Sequence, residues 1–317
     1  MRLGLDIGGT KIDAVVLDAD DAVRSRVRVA TGMGPNALLD SAELAVCEVV
    51  ERDGLDLGDV TSIGVGIPGM VDPATGHVRH AVNLGVTDLA LAELLSGRVS
   101  APVRLENDVK AAALGAYSLL GLTGTAALLN LGTGVAAGIV MDGTLWRGPG
   151  GGAGEVGHIP IDPSGVRCGC GQYGCIETFA SGRAVARLWP SQAPLPALEL
   201  FDAADAGDQA AIEVRRAVAA GAASGVRVLV LTVDVQTVVI GGGLSNLGDR
   251  LLAAMTDVMT QWGEDSPFIA SLGLPERVRM LPAEVPAAAV GAALVGAAAG
   301  TASRPSAPSA AAAAEER

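Results

Sequence analysis

Aromatic residues are scarce. Three Trp, two Tyr and three Phe make up 3% of the 317 residues, so the core has to be built from Ala, Val, Leu and Gly. Basic residues are outnumbered, 22 Lys and Arg against 35 Asp and Glu, and no basic stripe offsets the net charge of −13. That balance disfavours nucleic acid and membranes as partners and leaves a small molecule. The N-terminus lacks a charged leader, a following apolar run and a cleavage site, so no secretory signal is expected and the location is expected to be cytoplasmic. With only four cysteines, three of them clustered, metal ligands or redox thiols are expected in place of a disulfide framework. The 43 glycines have no three-residue period, which excludes a collagen-like chain and predicts many tight turns. One long stretch, residues 111–141, has no charge at all. It is long enough to span a bilayer, but "GLTGT" and "NLGTG" break it into short elements, and a membrane helix is rejected.

The length allows one large domain or two medium ones. Residues 2–7 and 12–17 are β-prone runs around "GGTK", and "VRSRVRVAT" alternates as an exposed strand does. Apolar spacing at Leu38, Leu39, Ala42, Ala45, Val46, Val49 and Val50 predicts a helix over 36–53. "SIGVGIPG" and "APVRLEND" read as strands, the second running into the helical "VKAAALGAYSLLG". The order then partly repeats. "TAALLNLGTGVAAGIVMDGTL" is again strand, Gly/Thr turn, strand, with helices around 182–189, 195–206 and 208–231. "TVVIGGGLSN" is a buried strand entering a glycine loop, followed by a helix. This predicts a duplicated α/β fold with a cleft between its halves. The first domain spans 1–118 with an Ala-rich helix, 286–300, packing back on it; the second spans 119–285 and carries the loop 155–177. The low-complexity tail 301–317 is expected to be disordered.

Four segments carry chemistry. In "DIGGTK", Gly8 and Gly9 let the backbone approach an anion, and the turn's N–H groups suit a phosphate. Thr10 and Lys11 add a hydroxyl and a cation, and Asp6 at the strand end suits magnesium held through water. A plain hairpin with a solvated lysine fits the same letters. "LGTG", with Thr133 and Gly134, stands in the corresponding place of the second half, and two facing loops suit a polyphosphate chain. "ENDVKAA" ends a strand and opens a helix. There Asn107 or Asp108 is an N-cap, or Asp108 accepts the proton of a hydroxyl that attacks phosphorus.

The fourth segment is "CGCGQYGC". His158 lies ten residues before Cys168, and the other two histidines, His77 and His80, are far upstream. His158, Cys168, Cys170 and Cys175 make a Cys3His set, a common structural zinc composition. Gly169, Gly171 and Gly174 let so tight a loop wrap an ion. Buried free thiols are the other reading; a redox pair is disfavoured because no CxxC is present.

In this order the four segments resemble the ROK family of sugar kinases, repressors and unclassified reading frames. The likeness runs from Asp6 to about Gly300. Its most specific part is "GEVGHIPIDPSGVRCGCGQYGCIE", similar to the family's Gly-Glu-x-Gly-His segment followed by C-x-C-G-x-x-G-C-x-E. The resemblance implies an actin-like ATPase fold (ribonuclease H-like), two α/β domains closing over ATP and a hexose. It implies ATP-dependent phosphorylation of a hexose 6-hydroxyl, glucose first, with Mg2+ travelling on ATP and Zn2+ structural. Asp108 would be the base, and Asn107, Glu155, His158 and Glu177 would bond the other hydroxyls. Gly66 and Gly69 of "GIPG" would line the sugar side. Gly8, Gly9 and Thr10, with Thr133 and Gly134, would hold phosphates, and Gly241, Gly242 and Gly243 would sit near the nucleoside. A homodimer or homotetramer is implied as well. The alternatives are another hexose, an N-acetylated amino sugar, or a sugar-responsive regulator. Regulators of this kind carry a DNA-binding domain ahead of the sugar-binding part, for which a phosphate loop beginning at residue 6 leaves no room. Where similar kinases read G-T-G-[IV]-G-G-G, this chain has "GTGVAAG". Ala136 and Ala137 either narrow the phosphate loop or lie in the next strand.

Overall fold

The computed structural model describes residues 1–297. In chain order the first elements are β1 (Arg2–Ile7), β2 (Lys11–Leu17), β3 (Val23–Ala30), α1 (Pro35–Asp53), β4 (Ser62–Ile67), β5 (Met70–Asp72), β6 (His77–Ala81), β7 (Val86–Leu89), α2 (Leu91–Val99), β8 (Val103–Asn107) and α3 (Asp108–Leu119). The chain continues through β9 (Thr125–Leu131), β10 (Val135–Met141), β11 (Thr144–Trp146), α4 (Glu177–Ala180), α5 (Gly182–Leu188), α6 (Pro196–Asp205) and α7 (Gln209–Val233). It closes with β12 (Thr237–Gly241), α8 (Asp249–Asp265), α9 (Pro267–Ala270), β13 (Val278–Met280) and α10 (Ala287–Ala297).

Two five-stranded sheets have the same strand order. The first is β3-β2-β1-β4-β8 and the second β11-β10-β9-β12-β13. In each, the first three strands are antiparallel, and the last two run parallel to the central one. The duplication expected from the repeated strand–turn–strand pattern is therefore present at the level of topology. A third, three-stranded sheet, β5-β6-β7, falls in residues where the sequence predicts no strands. Its strands are only three to five residues long, too short for alternation to stand out.

The helix α1 forms where the apolar spacing predicts it. Pro35 opens it, Gly54 closes it in the left-handed region, and Leu38, Ala42, Val46 and Val49 are buried on one stripe. The uncharged stretch 111–141 is divided among α3, β9 and β10. By length and composition α7 is apolar enough to cross a membrane. It packs against α4, α6 and α8, with Val218, Ala222, Val226 and Leu229 buried in the core of the second sheet.

Two helices are exchanged between the sheets. From the end of the first sheet, α3 packs on β9 and β10, whereas α10 follows the second sheet and packs on β1 and β4. Their contact is backbone to backbone. A Cβ at Gly4 would stand 1.8 Å from the Ala289 carbonyl oxygen, and one at Gly64 would stand 1.7 Å from that of Ala292. At the crossing of the two helices, a Cβ on Gly291 would stand 1.7 Å from the Ala111 oxygen. Close approach thus replaces the bulky side chains that the sequence lacks. The last helix, expected over 286–300, forms over Ala287–Ala297; residues 298–317, with the tail expected to be disordered, lie outside the described residues.

Candidate active site

The strand β8 delivers Asn107 and Asp108 to the start of α3. Asn107 is the cap: its Oδ1 accepts the Val109 N–H at 3.1 Å and the Lys110 N–H at 3.2 Å. The capping role therefore does not consume Asp108. Asp108 Oδ1 accepts from Val109 N–H at 2.9 Å and Asn107 Nδ2 at 3.0 Å, leaving Oδ2 without a hydrogen bond from another residue among the described residues. Burial pushes the Asp108 carboxyl above its ordinary range and the charge of Glu155 adds to this, against the Val109 and Asn107 hydrogen bonds. A carboxylate whose basicity is raised is better suited to take a hydroxyl proton near neutral pH.

The β1–β2 turn, Gly8–Gly9–Thr10, closes with the Gly8 N–H on the Lys11 carbonyl at 2.9 Å. Its counterpart between β9 and β10 closes with the Gly132 N–H on the Gly134 carbonyl at 3.0 Å. A cavity of about 320 Å³ is lined by Asp6, Lys11, Asn130, Gly241, Gly242 and Ser245, among others. Gly242 has φ 83, and a Cβ there would stand 2.5 Å from the Leu131 carbonyl carbon. Gly243 opens the short turn Gly243–Leu247 that brings Ser245 and Asn246 to the wall. Burial, then Asp108 and Asp13, push the Asp6 carboxyl up to about 7. A cation beside Asp6 would relieve this repulsion. Asp13 is itself buried, which raises its pKa, but hydrogen bonds from Arg26 and Arg28 prevail and hold it below the usual range.

Asn130, Ser245, Arg26 and Arg28 are cavity residues that sequence reasoning missed. Asn130 had a usable signal: it is the penultimate residue of β9, as Asp6 is of β1. Ala136 and Ala137 lie in β10 opposite Asn130 and Leu129. The Ala137 N–H donates to the Gly154 carbonyl at 2.7 Å, so these methyl groups belong to the strand and not to the turn.

The sugar-side glycines have backbone reasons. A Cβ on Gly66 would stand 3.3 Å from that of Ala111 and 3.6 Å from Asp108 Cα, so Gly66 lets α3 approach β4. Gly69 has φ 106, a conformation that L side chains rarely adopt.

The four metal-ligating atoms predicted from the sequence converge. His158 Nδ1 is 3.6 Å from Cys168 Sγ, Cys170 Sγ is 3.7 Å from Cys175 Sγ, and all four atoms lie within 4.8 Å of one another. A zinc tetrahedron with bonds of about 2.0–2.3 Å has edges of roughly 3.5–3.8 Å. The donor set fits that shape. Gly174, at φ 61, permits the fold of the loop, since a Cβ there would stand 1.6 Å from the Asp162 carbonyl oxygen. The Gln172 backbone N–H pulls Cys170 down to about 6, whereas burial and the neighbouring thiols push Cys175 up to about 12, so a metal binding here would have to displace the Cys175 proton. With Nδ1 facing the thiols, Nε2 of His158 remains for another partner.

Glu155 is exposed and precedes the short turn Val156–His158. Glu177 opens α4. Its Oε2 accepts the Val135 N–H at 3.0 Å, and its Oε1 lies 4.0 Å from Cys168 Sγ. One carboxylate thus touches both the metal cluster and the second glycine turn. Two ties seen only in the structure hold the segment before Glu155. Arg147 Nε donates to the buried Glu106 Oε2 at 2.6 Å, and Lys110 Nζ donates to the Gly151 carbonyl.

The chain is similar to known sugar kinases. A glucokinase of Streptomyces coelicolor is 35% identical over 284 residues, 83% of this chain and 88% of the relative. An N-acetyl-D-glucosamine kinase of Escherichia coli O157:H7 is 37% identical over 273 residues, 79% of this chain and 89% of the relative. The crystal structure of a ROK family glucokinase from Streptomyces griseus, in complex with glucose and AMPPNP, superposes with a TM-score of 0.74. It is 32% identical, over 93% of this chain and 98% of that one. The fold is the actin-like ATPase fold expected from the sequence. Residues 2–298 match the ROK family, and the chain belongs to it.

Proposed function

We propose that this protein phosphorylates the 6-hydroxyl of a hexose, glucose first. In its general class the chain is an ATP-dependent sugar kinase. The observation that carries the finer reading is Asp108, whose Oδ2 has no hydrogen bond from another residue among the described residues while burial raises its basicity.

In this reading residues 1–118 with α10, and residues 119–285, are two units that close on the substrates. Asp108 Oδ2 takes the proton of the 6-hydroxyl as that oxygen attacks the γ-phosphorus, and ADP leaves with the displaced bond pair. The N–H groups of Gly8, Gly9, Thr10, Thr133 and Gly134 hold phosphate oxygens, with Lys11 beside them. Gly241, Gly242 and Gly243 flank the nucleoside. Magnesium would neutralise phosphate charge when bound, and Asp6 would hold it through water. Asn107, Glu155, His158 and Glu177 orient the sugar. Asn107 does so through its remaining hydrogen-bonding capacity, since its oxygen caps α3. His158, Cys168, Cys170 and Cys175 would hold a structural zinc ion, which would fix the loop presenting Glu155 and Glu177.

The similarity to the N-acetyl-D-glucosamine kinase favours one second reading, an N-acetylated amino sugar as substrate. ADP release from magnesium ATP, with hexoses and amino sugars offered singly and Asp108→Asn as control, decides between them. Release only with N-acetylated sugars removes glucose. Release from the variant at the wild-type rate removes Asp108 as the base.

A further inference from the structure

We propose that Lys110 is a positioning residue for the hexose: it fastens the glycine-rich segment 147–154 to the start of α3 and so sets where Glu155 stands. This rests on the kinase reading above.

The segment "RGPGGGAG" has five glycines in eight residues, and Gly148, Gly151 and Gly154 have φ of 69, 76 and 93. Backbone of this composition loses the most freedom on ordering, so its position depends on what ties it down. Three ties exist. Arg147 bonds Glu106 at the start, Lys110 bonds the Gly151 carbonyl at the apex, and the Gly154 carbonyl accepts the Ala137 N–H at the end. The first two run to residues on either side of Asp108. The base and the segment leading to Glu155 are thereby joined through a short, charged frame.

Lys110 is an unusual residue for the purpose. It is buried, only 7% exposed, and has no carboxylate partner among the described residues. An unpaired buried ammonium is costly unless its hydrogen bonds are made. Its position near the N-terminus of α3 is also unfavourable for a cation. Gly151, in contrast, is exposed, so water satisfies its carbonyl if the lysine is removed. A residue serving stability alone gains nothing from this arrangement. Its one side-chain hydrogen bond among the described residues acts on the segment that ends at Glu155.

The test is Lys110→Met, which keeps the buried stem and removes the donor, beside Lys110→Arg, which keeps a donor. For the Met variant we expect the sugar KM to rise about tenfold or more, the loss of one charged hydrogen bond's ordering effect. The ATP KM and the melting temperature stay close to wild type, and Lys110→Arg recovers part of the sugar affinity. An unchanged sugar KM in the Met variant overturns the proposal. So does a parallel rise in both KM values with a lowered melting temperature, since that is general damage. Wild-type protein that releases no ADP with any sugar overturns the kinase reading instead, which keeps the two failures apart.

Discussion

The two five-stranded sheets share strand order and the place of their glycine turns, yet they are loaded differently. Where the first has Asp6, Lys11 and Asp13, the second has Asn130, Val135 and Ala137 at the matching positions of β9 and β10. Charge on the first sheet sits on its own strands. The second receives its carboxylate from outside, as Glu177 reaches the Val135 N–H from the end of the Cys3His loop. A duplicated frame thus carries two kinds of dependence: local electrostatics on one side, and a separate loop on the other.

Four experiments break or sharpen that contrast. The largest effect belongs to Asp108→Asn, which removes the carboxylate proposed as the base, at the end of the first sheet, without touching the second. A fall in kcat of about a thousandfold, with sugar binding retained by calorimetry, is expected; a change below tenfold would mean that proton transfer lies elsewhere. Next is Gly291→Val at the crossing of α10 with α3, where even a Cβ stands 1.7 Å from the Ala111 oxygen. Overpacking of this kind costs about 1–3 kcal/mol or more, read as a drop in the denaturant midpoint. A wild-type midpoint would show that the helices separate easily.

Metal removal tests the borrowed carboxylate. Cys170→Ser should lower bound zinc and raise the sugar KM, and through Glu177 it should also raise the ATP KM, by severalfold. The readouts are metal content, near-ultraviolet circular dichroism and the two KM values. An ATP KM that stays fixed while zinc is lost would separate the metal loop from the second glycine turn.

The smallest effect is the pH response of the first sheet. Asp6 holds its proton up to about 7 in the folded chain, against 3.8 ordinarily. Between those values the native state binds a proton that the unfolded chain has released, so Asp6 makes stability fall as pH rises from about 4 to about 7. Asp6→Asn should flatten that slope in melts between pH 5 and 8. Magnesium ATP, by contrast, should stabilise wild-type protein more at pH 8 than at pH 6. Identical slopes in the two proteins would remove Asp6 as the source.

Much of this frame is legible in the residues alone. The Cys3His cluster stands out because histidine is rare and three cysteines crowd eight positions. The glycine turns stand out because strand–turn–strand occurs twice. What stays hidden depends on distance in the chain. Glu106 and Arg147 are 41 residues apart, as are Lys110 and Gly151, and no periodicity links them. Glu177 reads as part of the cysteine motif, but nothing in its neighbours indicates the Val135 N–H. The strands β5 to β7 are too short to alternate visibly. Asn107 and Asp108 are equally good caps by residue type, and only the hydrogen bonds assign the task to Asn107.

The exchange of α3 and α10 has a consequence for how the chain is made. β1 is among the first segments to leave the ribosome, but the helix that covers it is α10, the last described element. That face of the first sheet therefore waits, with Val15 and Leu17 prepared for burial against Ala289, Val290 and Ala293, until nearly the whole chain has been synthesised. At about 5–20 residues per second this is an exposure of tens of seconds. For that interval the nascent protein presents an apolar sheet face, and a chaperone that shields it would act before either glycine turn has a partner to face.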